Sequence, residues 1–266
     1  MQTLHRTIAD SLTIAGRSYS RLRAQPGELA AFLVLPVLMT VLFGYVLGSA
    51  ITLPGGGDYR SYLMPGIFTQ VMTMTAAAAA TAVGADMERG VMDRLRVQPV
   101  APGAVLIGRS VADLSTHLLS LASMVAAAVL LAGWRPHGPV AATAGAFGLL
   151  ALFGFAMIWV GTWIGLLVRS AAQADAATFG WLFPMTFLAN TFVPTRGLPG
   201  WLRPVAEWNP MSAVTAATRL LFGNPAGSPA AAWPLRHPVA ASLLWSAALI
   251  AVFVPLSVRR HRAHGR

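Results

Sequence analysis

The distribution of charge along the chain limits it to a membrane fold. Residues 86–102, with the sequence DMERGVMDRLRVQPVAP, hold six charged side chains, whereas the flanking stretches 61–85 and 114–134 contain no Asp, Glu, Lys or Arg. One charge at the centre of a bilayer costs roughly 2.5–3.5 kcal/mol, so six cost on the order of 15–20 kcal/mol on the same scale. The charged stretch must therefore lie in water, between two apolar segments that are long enough to cross a bilayer.

The overall composition supports an integral membrane protein. Apolar residues make up 56% of the chain and charged residues 11%, against about 25% charged residues in soluble domains. The net charge of +10 comes from Arg residues dispersed among apolar stretches, which is typical of membrane topology and does not indicate a nucleic-acid partner. The chain contains no Cys and no Lys, so disulfides and a Walker A phosphate loop are excluded. Any ATP that drives this protein is expected to be hydrolysed by another chain.

The apolar stretches predict an all-α membrane protein with six transmembrane helices. About twenty apolar residues cross the hydrocarbon core. The predicted spans cover residues 29–51, 61–85, 114–134 (with a start as early as residue 105), a stretch within 136–168, 176–194 and 238–258. The second span contains the run Ala76–Ala80, and small residues of this kind let helices approach closely in lipid.

The remaining segments complete the predicted organisation. Residues 1–27 place apolar side chains on one helical face and Arg side chains on the other, which favours an amphipathic helix in the membrane interface over a helix packed on a soluble domain. Residues 28–258 form the six-span domain, in which prolines divide residues 195–237 into short helices. Residues 259–266 are expected to form a basic tail.

The Arg residues predict the orientation of the chain. With six spans, thirteen of the 19 Arg fall on the side of the termini and six on the other side. Cytoplasmic loops carry the excess of positive charge. Both termini and residues 86–102 are therefore predicted to be cytoplasmic, and residues 195–237 extracellular, in a multi-pass protein of the cell membrane.

The charged stretch has the pattern of a partner-binding helix. Met87, Val91 and Leu95 are spaced by four residues and form an apolar stripe that can seat in a groove on another protein. The charged side chains beside the stripe can fix the register of such a contact. A solvated loop helix fits the same pattern, and the pattern alone leaves both interpretations open.

Residues 88–100, ERGVMDRLRVQPV, resemble a motif of the membrane subunit of type-2 ATP-binding-cassette (ABC) exporters, close to the daunorubicin-resistance permeases. That family usually shows an acidic residue, Gly-Thr, a Leu and then a Pro. The matching residues here are Glu88, Gly90, Leu95 and Pro99. Val91 stands where Thr is usual.

A second stretch, residues 192–223, resembles another pattern of the same family. The family shows Phe-Val-Pro, Leu-Pro-x-Trp-Leu, Asn-Pro, a later Arg and a Gly. The matching residues here are Phe192, Val193, Pro194, Leu198, Pro199, Trp201, Leu202, Asn209, Pro210, Arg219 and Gly223. Ala213 replaces a frequent aromatic residue. With the order of the six spans, the two motifs extend the resemblance over essentially the whole chain.

The resemblance implies a complex. It implies a homodimer or heterodimer of permease chains, two ATPase subunits that use ATP and Mg, an interfacial N-terminal helix, and re-entrant outer helices between spans 5 and 6. It assigns coupling to the ATPase to Glu88, Arg89, Gly90, Asp93, Arg94, Leu95 and Pro99. Asn209 and Pro210 begin a predicted helix with Arg219 near its end, where the dipole favours a cation, so a structural role for them is favoured over substrate contact.

The predicted function is the transmembrane subunit of an ATP-driven exporter of an amphipathic or lipid-like compound, such as a drug or natural product. Spans 2 and 5 are the candidates for the substrate path. Its candidate residues are Gln70, Met72, Met74, Phe179, Phe183, Phe187 and Asn190, although core packing explains such aromatic residues equally well. A permease for lipid-linked polysaccharide and an ATP-independent membrane factor are the alternatives. The sequence shows no catalytic motif and no metal-ligand spacing.

Overall fold

The computed structural model describes residues 59–90, 102–192, 195–224 and 232–263, together with six positions between Val34 and Tyr45. The predicted interfacial helix at residues 1–27, most of the first span, and residues 91–101 of the charged stretch lie outside the described residues.

The described residues fold into helices joined by turns, and no strand occurs among them. The long helices are α1 (Tyr59–Glu88), α2 (Pro102–Leu130), α3 (Val140–Gly165), α4 (Ala171–Leu188) and α8 (Pro238–Ala263). Between α4 and α8 lie a 3-10 turn (Thr195–Gly197) and the short helices α5 (Arg203–Glu207), α6 (Pro210–Leu221) and α7 (Trp233–Arg236).

Within the described ranges, four helices are long and apolar enough to cross a membrane. They are Tyr59–Glu88, Leu106–Leu130, Val140–Gly165 and Pro238–His261, which correspond to the predicted spans 2, 3, 4 and 6. Helix α4, the predicted span 5, has 18 residues and is not among these four. The protein is therefore an all-helical membrane protein, and its six-span topology stays a prediction.

Several predicted helix bounds differ from those in the structure, for local reasons. Helix α2 begins at Pro102 and ends at Leu130, before the turn at Gly133, whose φ of 69° is unfavourable for other residues. Helix α4 begins at Ala171, since Ser170 Oγ accepts a hydrogen bond from the Gln173 amide (3.3 Å) and caps the helix. It ends at Leu188, because Ala189 is extended. Helix α8 continues through Arg259 and Arg260, which were expected in a tail.

Helix α1 is the centre of the bundle and contacts α2, α3, α4 and α6. Its run of small residues packs directly on glycines of α3. A Cβ atom on Gly165 would lie 2.7 Å from the Ala80 carbonyl oxygen, and a Cβ atom on Gly161 would overlap the Ala76 carbonyl. Only glycine fits at these two positions. The glycines of α3 and the alanine run of α1 together let the two helix backbones approach closely.

The bundle has two ends, each with its own cluster of polar contacts. At the Glu88 end, the end of α1 meets the first turns of α2 and α4. At the Tyr59 end, the start of α1 meets the segment after α4 and the helix α6. The proposed functional contacts lie at these two ends and on the exposed face of α4.

We expect Gly161→Ala to destabilise the bundle. The added methyl group forces α1 and α3 apart, and such overpacking costs about 1–3 kcal/mol. Thermal unfolding of the purified protein in detergent measures the effect.

Gly148→Ala on the same helix is the matched control, because nothing lies within 4 Å of its added Cβ. This substitution is expected to leave stability unchanged or to raise it by up to about 1 kcal/mol. Equal unfolding temperatures for the two variants would contradict the close α1–α3 contact.

Candidate functional site

An ion cluster joins α1 to α2 at the Glu88 end. Arg109 Nη1 donates to Asp86 Oδ2, and Arg109 Nε lies 3.7 Å from Asp113 Oδ2. Asp86 is the first residue of the charged stretch, and Arg109 lies shortly after its last residue. The cluster therefore fixes the two ends of residues 86–102 relative to each other.

The first residues of the charged stretch also contact α4. Glu88 Oε2 accepts a hydrogen bond from the Ala171 amide at 3.4 Å, at the N-terminus of α4, where a negative charge is stabilised by the helix dipole. Met87 packs against a small apolar cluster of Val83 and Leu166. Thus the end of α1 holds the turn between α3 and α4.

Gly90 ends α1 by its backbone conformation. Its φ is 63°, and its amide donates to the Met87 carbonyl at 3.2 Å. This is the left-handed position after a helix that glycine occupies without strain. Glu88 and Arg89 are exposed beside it. The other predicted coupling residues, Asp93, Arg94, Leu95 and Pro99, lie outside the described residues.

At the Tyr59 end, the non-helical segment after α4 is held by side chains. Three successive carbonyls accept hydrogen bonds there: Asn190 from the Tyr62 hydroxyl (3.1 Å), Thr191 from Arg219 Nη2 (3.0 Å) and Phe192 from the Tyr59 hydroxyl (2.8 Å). A buried carbonyl without a donor is costly in a membrane. These donors therefore allow the chain to leave the helix at Leu188.

Arg219 is the central residue of this cluster. Its side chain is 1% exposed. Nε donates to the Tyr62 carbonyl at 2.8 Å, and the guanidinium carbon lies 3.5 Å from the centre of the Tyr62 ring. Within the described part of the chain, no carboxylate forms an ion pair with it. The carbonyls and the ring face are its partners, and both favour a cation.

A side-chain hydrogen bond replaces the backbone hydrogen bond that a proline removes from α1. Pro65 has no N–H, so it cannot bond the Ser61 carbonyl as a helix requires. Asn224 Nδ2 donates to that carbonyl at 2.6 Å. Asn224 is positioned by Gly223, whose φ of 69° and the bond from the Asn224 amide to the Arg219 carbonyl (2.9 Å) end α6 in a Schellman motif.

The start of α6 is capped and fixed to α4. Asn209 Oδ1 accepts from the Met211 amide (2.9 Å), and Asn209 Nδ2 donates to the Met185 carbonyl (2.7 Å). Pro210 occupies the first turn, where a missing N–H costs nothing. Asn209, Pro210 and Arg219 therefore all hold the short helices between α4 and α8 in place.

Glu207 joins the short helices, and the sequence analysis missed it. It is 3% exposed, forms an ion pair with Arg203 at 2.8 Å and accepts from the Ala232 amide at 3.0 Å. The signal in the sequence was the Arg–Glu spacing of four residues in a stretch with no other acid.

The predicted path residues do not all lie on one surface. Phe179, Phe183 and Phe187 are 54–63% exposed and form a row along α4. Met72 is fully enclosed and packs against Gly154. Asn190 is buried in the non-helical segment after α4. Gln70 and Met74 are partly buried on α1. Only the three Phe residues share a large exposed face.

The whole chain is similar to known transporter subunits. The sequence profile described as ABC-2 type transporter matches residues 11–222. The chain belongs to the ABC-2 type transporter family. It is therefore the membrane-embedded permease component of an ABC transporter, which works together with ATP-binding subunits.

Two of three similar relatives align with this permease over nearly its full length. A daunorubicin resistance ABC transporter permease of Streptomyces coeruleorubidus is 29% identical over 255 residues, which are 96% of this permease and 87% of the relative. A probable doxorubicin resistance permease of Mycobacterium tuberculosis is 25% identical over 264 residues, which are 96% and 90% of the two chains. A probable multidrug permease of Escherichia coli is 24% identical over 168 residues, 62% of this permease and 44% of the relative.

We expect Arg219→Met to lower the unfolding temperature of the permease in detergent. The carbonyls of Tyr62 and Thr191 lose a charged donor, and hydrogen bonds to charged groups contribute about 1.5–3 kcal/mol each. Arg219→Lys is expected to restore only part of the stability, because an ammonium group lacks the planar fork that reaches both carbonyls while stacking on the ring.

Arg135→Met is the control, since Arg135 is exposed. Wild-type stability of Arg219→Met would show that the buried guanidinium does not hold the Tyr59 end.

We expect Asp86→Asn and Arg109→Gln to be non-additive. The two side chains are about one-fifth exposed, so their coupling energy should be about 0.5–1 kcal/mol, measured by equilibrium unfolding in mixed micelles. The control pairs Asp86→Asn with Arg135→Gln, at an exposed residue on the opposite end of the bundle, for which additivity is expected. Additive effects for both pairs would contradict a stabilising interaction between Asp86 and Arg109.

Proposed function

We propose that this permease is the transmembrane subunit of an ATP-driven exporter that moves an amphipathic or lipid-like compound out of the cell. The observation that carries the proposal is the family match over residues 11–222 in a chain without Lys, and hence without a Walker A loop of its own. ATP and Mg are bound by separate ATPase subunits.

The proposed assembly contains two permease chains and two ATPase subunits in the cell membrane. Each permease chain crosses the membrane six times with both termini in the cytoplasm, in keeping with the distribution of its Arg residues. The Glu88 end then faces the cytoplasm, and the Tyr59 end with α5, α6 and α7 faces outward as a re-entrant segment. The packing of α6 against α1, α3 and α8 supports this arrangement.

Coupling in the proposed complex begins at residues 86–102. Val91 and Leu95 seat in a groove of the ATPase, and the charged side chains beside them, including Arg94, fix the register. Met87 was predicted to share this stripe, but it packs on Val83 and Leu166, and its helix ends at Gly90. Movement of this stretch reaches α1 and α2 together through the Asp86–Arg109 pair. It reaches α4 through the Glu88–Ala171 hydrogen bond.

The proposed substrate path runs along the exposed face of α4, between the two permease chains. Phe179, Phe183 and Phe187 present large aromatic surfaces there, which suit an apolar ring system. Met72 is not included, because it is enclosed. The names of the relatives refer to daunorubicin, doxorubicin and multidrug substrates, which favours a drug-like compound over a lipid-linked polysaccharide as the cargo.

A cross-linking experiment tests the proposed partner. The chain has no Cys, so a single Cys at Arg94 gives one defined attachment point. Cells that express Arg94→Cys are treated with a bifunctional thiol–amine reagent, and the attached proteins are identified by mass spectrometry. We expect a chain with a Walker A loop to be recovered, and deletion of residues 88–96 to abolish its co-purification.

Arg135→Cys on the opposite end is the matched control and is expected to attach no ATPase. Recovery of no ATPase from Arg94→Cys, under conditions in which the permease itself is recovered, would falsify the proposed coupling. The ATPase subunits would then have to contact a part of the permease other than residues 86–102.

A further inference from the structure

A cleft lies between α4 and α8 on the outside of the bundle. Both helices pack on α3, whereas within the described residues they hardly contact each other, so α3 forms the floor between them. The cavity in this cleft has a volume of about 590 Å³, which is within the range of about 300–1,000 Å³ for ligand sites. Every lining residue is apolar or aromatic, and the lining includes Trp163 on α3, Ala177, Trp181 and Met185 on α4, and Leu249 and Phe253 on α8.

The length of the cleft suits one acyl chain of a lipid. Ala177 and Met185 both line the cleft, and eight residues of helix extend about 12 Å along the axis of α4. One leaflet contributes about half of the hydrocarbon core, or about 15 Å. An extended chain of the surrounding bilayer can therefore lie in the cleft along most of its length.

The Glu88 end of the cleft is basic. Helices α3 and α8 both run toward this end, and Trp163 of α3 lies beside Phe253 of α8, with ring centroids 5.4 Å apart. Arg169 and Arg259 each follow one of these rings by six residues, so both lie beyond the apolar lining at the same end. Both are exposed, and in the part of the chain that the structure describes neither forms an ion pair with a carboxylate.

We propose that the cleft binds an anionic phospholipid, with one acyl chain between α4 and α8 and its phosphate at Arg169 and Arg259. The lining stabilises the chain by burial of apolar surface, and the two guanidinium groups attract the negative headgroup. The bound lipid fills the gap between two helices that hardly contact each other. Binding to the folded permease therefore stabilises their arrangement.

This site is separate from the proposed substrate path. Trp181 in the cleft and Phe183 on the path are two residues apart on α4, which places them about 200° apart around the helix. The phospholipid is thus a resident ligand of the permease, and the inference goes beyond the proposed export function. In the orientation proposed above, the headgroup lies in the cytoplasmic leaflet.

The observations favour this ligand over the other possible occupants of the cleft. The first span lies elsewhere at its described end, since the Tyr45 hydroxyl donates to the Leu131 carbonyl just after α2 at 2.6 Å. A symmetric contact with a second permease chain brings Arg169 and Arg259 of both chains to one interface, where like charges repel. A lipid without net charge fills the apolar part but does not neutralise the two Arg. An anionic phospholipid complements both parts of the site.

Two lipids with the same acyl chains test the selection by charge. The full-length permease is purified in a non-ionic detergent, and phosphatidylglycerol or phosphatidylcholine is added in increasing amounts. Native mass spectrometry measures the affinity of the first bound lipid. We expect phosphatidylglycerol to bind about five- to twenty-five-fold more tightly, because each Arg strengthens the attraction of an anionic headgroup about five-fold. Glycerol 3-phosphate, which lacks the chains, is expected not to compete.

Substitutions then separate the headgroup contacts from the acyl-chain contacts. Arg169→Gln and Arg259→Gln should each weaken phosphatidylglycerol about two- to five-fold and leave phosphatidylcholine unchanged, whereas Arg135→Gln, at an exposed residue of the opposite end, should change neither. Ala177→Trp fills the cleft, so it should weaken both lipids about five-fold or more. Ala176→Trp, at an exposed neighbour outside the lining, is its matched control and should weaken neither.

Four outcomes overturn the inference. The first is equal affinity for the two lipids, with no effect of the substitutions at Arg169 and Arg259. The second is unchanged lipid binding in Ala177→Trp, which places the lipid elsewhere. The third is effective competition by glycerol 3-phosphate, which makes the site one for a free phosphate ester. The fourth is the loss of a permease dimer in Ala177→Trp without saturable binding of either lipid, which makes the cleft a contact between permease chains.

These measurements involve no ATPase, nucleotide or exported compound. Each of the four outcomes therefore leaves the proposed export function standing.

Discussion

The Tyr59 end of the structure depends on the buried guanidinium group of Arg219. Arg219 loses its hydration on burial, and such a loss is tolerated only where other groups replace the water. Two backbone carbonyls and the Tyr62 ring do so. One of these carbonyls belongs to Thr191, in the non-helical segment after α4. Because Arg219 supplies its donor, α4 can end there while the neighbouring helices continue. The short helices between α4 and α8 and the bundle of long helices are thus joined by the same side chain.

Much of the fold follows from the sequence, because whether a stretch can form a membrane-crossing helix depends mainly on the residues of that stretch. Charge-free stretches identified the long helices, and the run Ala76–Ala80 indicated a close helix contact. The helix ends did not follow, since they are set by distant partners. Arg219 was interpreted through the dipole of its own helix, but its acceptor at Tyr62 is 157 residues away. Proximity of this kind is visible only in the folded chain.

The candidate site could be predicted in part, for the same reason. Glu88 was expected to contact a partner protein, and it also holds the first turn of α4. Met72 and Phe183 have similar hydropathy, yet one is enclosed and the other exposed. The sides of a membrane helix that face lipid, other helices or a substrate path have similar apolar compositions. The sequence alone therefore does not show which of these surroundings an apolar residue faces. The family motifs pointed to segments of the chain, whereas the contacts within them are visible only in the structure.

The glycine contact between α1 and α3 determines which parts of the bundle can move. Where backbone meets backbone at Gly161 and Ala76, no side-chain rotamers exist that absorb a relative displacement, so the two helices behave as one rigid body. Helix α4 is held on α1 at both ends as well, by hydrogen bonds at Ala171 and at Asn190 and by the close contacts of Gly84 with Ser170 and of Gly66 with Thr191. Helices α1 and α3 would therefore move together in a conformational change, and shifts within the bundle are confined to contacts where side chains, rather than backbones, meet.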